Sequence, residues 1–175
     1  INSKWMKTRL KSSDKNNAIT FDLSKINEFR NFNLFKKAVM IFIASRLKDE
    51  ECKEIRKIFT KINECRSGTI SFDEFKNFII DEQNAEIIGG ETDEEIEDHF
   101  LSIDIDQNNK IDYTEFIAAN MDRNIYLQKD KLREAFEAFD VDGDGVITRM
   151  EVINILKMNK LKDFDKLAGS LINEN

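Results

Sequence analysis

The sequence predicts an all-α fold built from repeated helix–loop–helix units. Proline is absent, and apolar residues recur at three- and four-residue steps, the pattern of amphipathic helices rather than strands. Three twelve-residue segments rich in oxygen-bearing side chains, 63–74, 104–115 and 140–151, each lie between two such stripes. An apolar content of 41% is that of a globular chain, and 175 residues suffice for one sizeable core or two small lobes.

Residues 24–46 predict the first helix. Ile26, Phe29, Phe32, Phe35, Val39, Phe42 and Ile43 form a wide apolar face, flanked by Lys25, Arg30, Lys36, Lys37 and Arg46 and opposed by a single acid, Glu28. Read as one helix, it would be roughly 34 Å long at about 1.5 Å per residue. Phe29 and Phe42 stand thirteen residues apart, the spacing of large anchors in basic helices that lie in an apolar groove. Around it the charge is uneven. Residues 1–50 hold eleven Lys/Arg against five Asp/Glu, and residues 51–175 hold sixteen against twenty-nine. A basic arm on an acidic body predicts that the two attract each other, and the acidic body excludes nucleic acid as a partner.

The first loop is "NECRSGTISFDE", residues 63–74, between the stripe Ile55, Ile58, Phe59, Ile62 and the stripe Phe75, Phe78, Ile79. The second is "DIDQNNKIDYTE", residues 104–115. A capping box of Thr92 and Glu95 opens the helix before it, which carries Ile96 and Phe100. The third is "DVDGDGVITRME", residues 140–151, between Leu132, Phe136, Phe139 and Val152, Ile153, Leu156. Carboxylates a few ångströms apart repel by about 4 kcal/mol per pair at an effective dielectric of 20, so such a loop resists closing without a cation.

The third loop has the spacing of the EF-hand calcium loop. Asp140, Asp142, Asp144, the Val146 carbonyl, Thr148 and Glu151 would supply the oxygens, with Gly145 at the sharp bend. In the second loop the set is Asp104, Asp106, Asn108, the Lys110 carbonyl, Asp112 and Glu115. Asn109 replaces glycine at the bend, and asparagine tolerates the left-handed conformation best after glycine. The first loop keeps Gly68, Ile70 and Glu74 but has Asn63, Cys65 and Ser67 where the others have acids or Asn108. It is expected to be structural and empty, since a thiol is a poor ligand for a hard cation. Two calcium sites are therefore expected. Ile70, Ile111 and Ile147 share the loop position at which paired hands join by a short antiparallel ladder, so hands one and two should form one lobe. The third hand needs a fourth, and "FDKLAGSLINEN" offers the stripe Phe164, Leu167, Leu171 of a fourth incoming helix.

Other chemistry is thin. Cys52 and Cys65 make no disulfide framework and suit a reducing cytosol, and His99 alone cannot build a histidine-based zinc site. Trp5 and Met40 read as packing residues. No apolar run reaches the roughly 18 residues a membrane span needs. The chain opens with Ile rather than Met and reads as part of a longer protein.

The order of a basic amphipathic segment with "VMIFIASRL", a first hand, "IDYTEFIAAN" in the second and "AFEAFDVDGDGVIT" in the third resembles the regulatory tail of calcium-dependent protein kinases. The resemblance covers residues from about 24 to 172. In that family a Ser/Thr kinase domain is followed by an autoinhibitory junction and a calmodulin-like domain of four EF-hands. The resemblance implies that 1–23 is the worn end of the kinase domain and its linker, and that 24–46 is the junction helix. Residues 47–121 would be the lobe of hands one and two, and 122–175 hand three with the start of hand four. It also implies that the partners are the chain's own kinase domain and junction helix, captured in cis when calcium binds to relieve autoinhibition. The chain departs from the pattern in its acid-poor first loop, the missing glycine of its second and the absent fourth loop. It carries no glycine-rich loop, catalytic lysine or catalytic-loop aspartate, so it transfers no phosphate itself. A cytoplasmic location is expected, with any membrane contact made by regions of the parent outside this chain.

Three readings of residues 24–46 compete: a core helix, a membrane-surface helix, and a target segment held in cis. The acidic partner downstream favours the third, and a tether would keep its effective concentration near millimolar. For the whole chain the alternatives are a free-standing sensor subunit, calmodulin-like or calcineurin-B-like, and a plain calcium buffer. With hand three unpaired, a dimer by exchange of elements is a further expectation.

Overall fold

The computed structural model describes residues 21–81 and 91–158, with side chains as far as Asn154. The expectations for Trp5 and the stripe Phe164, Leu167, Leu171 lie outside these described residues, and that for Leu156 outside the described side chains. Within them the chain is helical, with one two-stranded ladder.

The long first helix is in fact two: α1 (Leu23–Arg30) and α2 (Leu34–Ala44). The break has a local cause. Asn33 is extended (φ −66°, ψ 162°), and its side chain accepts from the Lys36 N–H at 2.9 Å, so it starts a new helix instead of continuing the old one. Asn31 ends α1 and donates its side-chain amide back to the Asn27 carbonyl at 2.8 Å. Asp22 caps α1 in turn.

Hand one follows as α3 (Lys53–Ile62), β1 (Thr69–Ser71) and α4 (Phe72–Ile80), and hand two as α5 (Asp93–Ile103), β2 (Lys110–Asp112) and α6 (Tyr113–Asn120). The antiparallel ladder pairs Thr69 with Asp112, Ile70 with Ile111 and Ser71 with Lys110, as the shared isoleucines predict. Both isoleucines are fully buried. Capping boxes open α4, α5 and α6, the one on α5 made by Thr92 and Glu95 as read from the sequence. A short turn, α7 (Arg123–Tyr126), leads to hand three, made of α8 (Lys129–Phe139) and α9 (Arg149–Met158). Ile147 has no ladder partner among the described residues.

The basic segment sits at the centre of the core. α1 packs its buried Ile26 and Phe29 on α5 and α6; α2 packs on α6 and, on another side, on α8 and α9. Six of the eleven residues of α2 are buried, as expected of a helix with protein on several sides. The segment is therefore part of the core. Met40 and Cys52 are packing residues, both buried. The stripe on α8 is corrected. Phe139 is buried, but Leu132 and Phe136 are 39% and 41% exposed. They line an open groove with Phe32, Phe35, Val39 and Ile147, because α2 covers only the Ala135 and Phe139 side of α8. Among the described residues no helix is long and apolar enough to cross a membrane.

Candidate metal centres

Loop 104–115 begins where α5 stops and ends inside the first turn of α6, so two helices and the ladder hold its acids in place. Asp104, Asp106 and Glu115 each offer a carboxylate oxygen, all within 4.8 Å of one another, and all three residues are buried. Backbone N–H groups support them. Asn108 and Asn109 donate to the two oxygens of Asp104 at 3.1 and 2.9 Å, and Ile105 and Asp112 donate to those of Glu115 at 2.9 Å each. Asn109 takes the left-handed bend at φ 61°. Its neighbour Asn108 leaves Oδ1 buried without a partner.

The electrostatics of this loop are those of crowded acids. Burial, reinforced by the Asp112 and Asp106 carboxylates, pushes Glu115 up to about 9. Burial, helped by Asp106, raises Asp104 to about 6. These groups hold protons readily unless a cation takes their place.

Loop 140–151 gathers Asp140, Asp142 and Asp144 within 4.8 Å, here nearer to solvent. Gly145 bends at φ 84° and donates its N–H to Asp140 at 3.0 Å, while the other Asp140 oxygen is buried and unpartnered. Val146 is exposed. Glu151 accepts from Val141 N–H at 2.7 Å and from the Thr148 N–H and hydroxyl at 2.8 and 2.7 Å. The Thr148 donors and burial work in opposite directions on Glu151, and the donors win, holding it below the usual carboxylate range.

Two residues read as ligands have a second task. Asp112 accepts from the Glu115 N–H and Thr148 from the Glu151 N–H, so both also cap the helix that follows. Lys110 lies in β2, where its side chain is exposed.

Loop 63–74 is closed by its own atoms. Asn63 Oδ1 accepts from the Ser67 N–H at 3.1 Å, and the Ser67 hydroxyl donates to the Thr69 carbonyl at 2.7 Å. Glu74 accepts from the Cys65 N–H, the Ser71 N–H and the Ser71 hydroxyl at 3.2, 2.9 and 2.8 Å. Burial works to raise Glu74, but the Ser71 and Cys65 donors outweigh it and bring it down to about 2. The same position of the motif thus carries an ionised, satisfied acid in hand one and a proton-hungry one in hand two.

The acid-bearing loops suit a hard, oxygen-ligated divalent cation. Each presents three carboxylates at chelating separation, and each has one buried oxygen that nothing else satisfies, Asn108 Oδ1 in the second hand and Oδ1 of Asp140 itself in the third; neither presents sulfur or imidazole. His99 is buried on α5 with Nε2 2.8 Å from Glu91, away from these clusters.

The basic segment reaches both hands. Lys37 Nζ donates to the Ser102 carbonyl at 3.0 Å and lies 5.0 Å from the centre of the Phe29 ring; burial lowers its pKa. Lys25 reaches the Asn120 carbonyl at 3.3 Å and Asp122 at 2.6 Å. On the other side, the rings of Phe35 and Phe42 meet Phe139 edge-on at 6.1 and 5.6 Å. Phe32 meets Phe29 and Tyr126, and Lys36 sits over its ring at 3.3 Å. Ile43 is buried and Val39 half-buried. The sequence showed the phenylalanines and lysines, but nothing in it marked Ser102, whose part is played by its carbonyl.

Family models agree with the geometry: one described as EF-hand domain matches residues 131–165 and one described as EF hand matches 66–79. The chain is 34% identical over 173 residues to calcium-dependent protein kinase 19 of Arabidopsis thaliana, covering 97% of this chain and 30% of that protein. It is 35% identical over 141 residues to calcium-dependent protein kinase 19 of Oryza sativa subsp. japonica, covering 81% and 26%. With calcium-dependent protein kinase 2 of Zea mays it shares 32% over 165 residues, covering 93% and 31%. The chain thus spans about a third of the length of these curated relatives. A solved structure of a C-terminal domain overlaps at TM-score 0.37 and 22% identity, covering 86% of this chain and 88% of its own. Paired helix–loop–helix units with convergent acids define a calcium-binding EF-hand protein. Within that class the chain belongs to the calmodulin-like domains of the calcium-dependent protein kinase family.

Proposed function

We propose that this chain is the calcium-sensing regulatory part of a calcium-activated Ser/Thr protein kinase. It takes one calcium ion in loop 104–115 and one in loop 140–151, while loop 63–74 stays closed on itself. The observation that carries this reading is the basic segment 23–44 seated in cis against both acid-bearing hands, with Phe29 and Phe42 buried. Asp104, Asp106, Asn108 and Glu115 hold the ion of the second hand, and Asp140, Asp142, Asp144 and Glu151 that of the third. A bound ion supplies the positive charge that lets each crowded acid cluster close fully ionised. Closure moves the helices that grip the segment, and in the parent this withdraws the segment from the kinase domain.

A free-standing sensor would offer an open groove to other chains. Here α1 and α2 already occupy the space between hands two and three and leave open only the groove along Leu132 and Phe136, which favours a built-in target. Calorimetric titration with calcium tests the count: two sites in the whole chain, one in Glu115→Gln, one in Glu151→Gln. Three sites, or none, would sink the assignment. A basic amphipathic peptide added in trans should bind weakly; tight binding would favour the separate-sensor reading.

A further inference from the structure

The two acid-bearing loops are not ladder partners. Loop 104–115 pairs through β2 with the self-closed loop 63–74, and loop 140–151 has no ladder partner among the described residues. The route by which paired EF-hand loops sense each other therefore does not join these two. Helix α2 touches both hands at the same structural place. Through Lys37 it holds the Ser102 carbonyl, two residues before Asp104. Through Phe35 and Phe42 it packs on Phe139, the residue before Asp140. In each hand that place is the last turn of the entering helix, the part that must move when the loop closes.

We infer that α2 is an allosteric lever between the two hands, so that closing loop 140–151 raises the calcium affinity of loop 104–115 and the reverse. The argument rests on the reading of both loops as calcium sites. The physical basis is rigidity. α2 is a single eleven-residue helix with an aromatic contact toward hand three and a charge-assisted hydrogen bond, the stronger kind, toward hand two. Movement of Phe139 shifts Phe35 and Phe42, and these shift Lys37 on the same helix. A state of α2 that suits both closed loops is favoured by calcium at either, and linkage makes the benefit mutual. Lys37 and Phe35 act as positioning residues; neither touches the ion.

The test uses the whole chain and calcium alone as the probe, read by calorimetry, with circular dichroism to confirm folding. In Glu151→Gln, which disables the third hand, loop 104–115 should bind roughly tenfold more weakly than in the unmodified chain, within the usual range of allosteric coupling. Adding Lys37→Met to both should shrink that difference to about twofold or less, because α2 loses its hold on the last turn of α5, the part that moves, while its packing on α6 stays. Phe35→Ala loosens the hand-three side, where Phe42 still meets Phe139, at a ring that is 41% exposed, so it threatens the fold less, and it should shrink the difference in part. Equal affinity of loop 104–115 with and without Glu151 would overturn the inference. So would a difference that survives both Lys37→Met and Phe35→Ala. If neither loop takes up calcium in the unmodified chain, the calcium reading itself fails, which is a separate result.

Discussion

Glu74 and Glu115 occupy the same loop position and cap the same turn, yet their protons behave oppositely. Glu115, raised to about 9 by burial and its acidic neighbours, favours the folded state when protonated. Its contribution is complete below the unfolded carboxylate range and declines as pH rises toward about 9. Glu74, held at about 2, contributes above the unfolded range and loses that contribution as pH falls toward about 2. Between pH 6 and 8.5, in chelator, the unmodified chain should therefore lose melting temperature, and Glu115→Gln should lose less; chelated thermal melts at both pH values check this. Asn109 is the other telling residue. It accepts φ 61° at a bend where glycine carries no steric penalty. Asn109→Gly should tighten loop 104–115 a few-fold, a gain of about 1 kcal/mol or less, measurable by calorimetry in the unmodified chain and the variant.

At the scale of elements, the break between α1 and α2 lets one segment serve two hands. Asn33 secures it by capping α2. Asn33→Ala should cost about 1 kcal/mol of stability, read as a lower urea midpoint, while helical content by circular dichroism holds or rises. Loop 63–74 of hand one is held by its own atoms, with Asn63 Oδ1 accepting from the Ser67 N–H and the Ser67 hydroxyl donating to the Thr69 carbonyl. Restoring acids in the triple variant Asn63→Asp, Cys65→Asp, Ser67→Asp should add a third calcium site to the titration. The ladder through Ile70 and Ile111 would then join two metal loops instead of one.

At the scale of the whole molecule, the segment joins hands two and three, and the ladder joins hand one to hand two. α2 lies between hand two and hand three, and Lys131 with Glu51 at 2.8 Å and Arg46 with Glu134 at 3.3 Å add polar ties from α8 to the stretch between α2 and α3. Both ties are at least partly exposed, so they contribute little beside the buried rings. At one thousand times its dissociation constant, calcium should stabilise the fold by about 4 kcal/mol per site. Scanning calorimetry should then show one transition that moves up as a unit; two transitions, with only one moving, would mean the hands unfold separately.

Much of this was legible in the chain. The twelve-residue spacing, the apolar stripes and the shared isoleucines determined the hands, their ladder and the acids of both loops, because a chelating loop is short and its geometry follows from local order. The anchors Phe29 and Phe42 were equally plain. What the sequence left open was decided only in three dimensions. A strip of three- and four-residue apolar steps reads as one helix whether or not Asn33 interrupts it, since the period is the same on both sides and the cap shows only once the Asn33 side chain is placed on the Lys36 N–H. Asp112 and Thr148 read as ligands by position, and only the fold shows that each also caps the helix that follows. The grip of Lys37 on Ser102 joins residues 65 apart through a backbone carbonyl, a group every residue has and no sequence can single out.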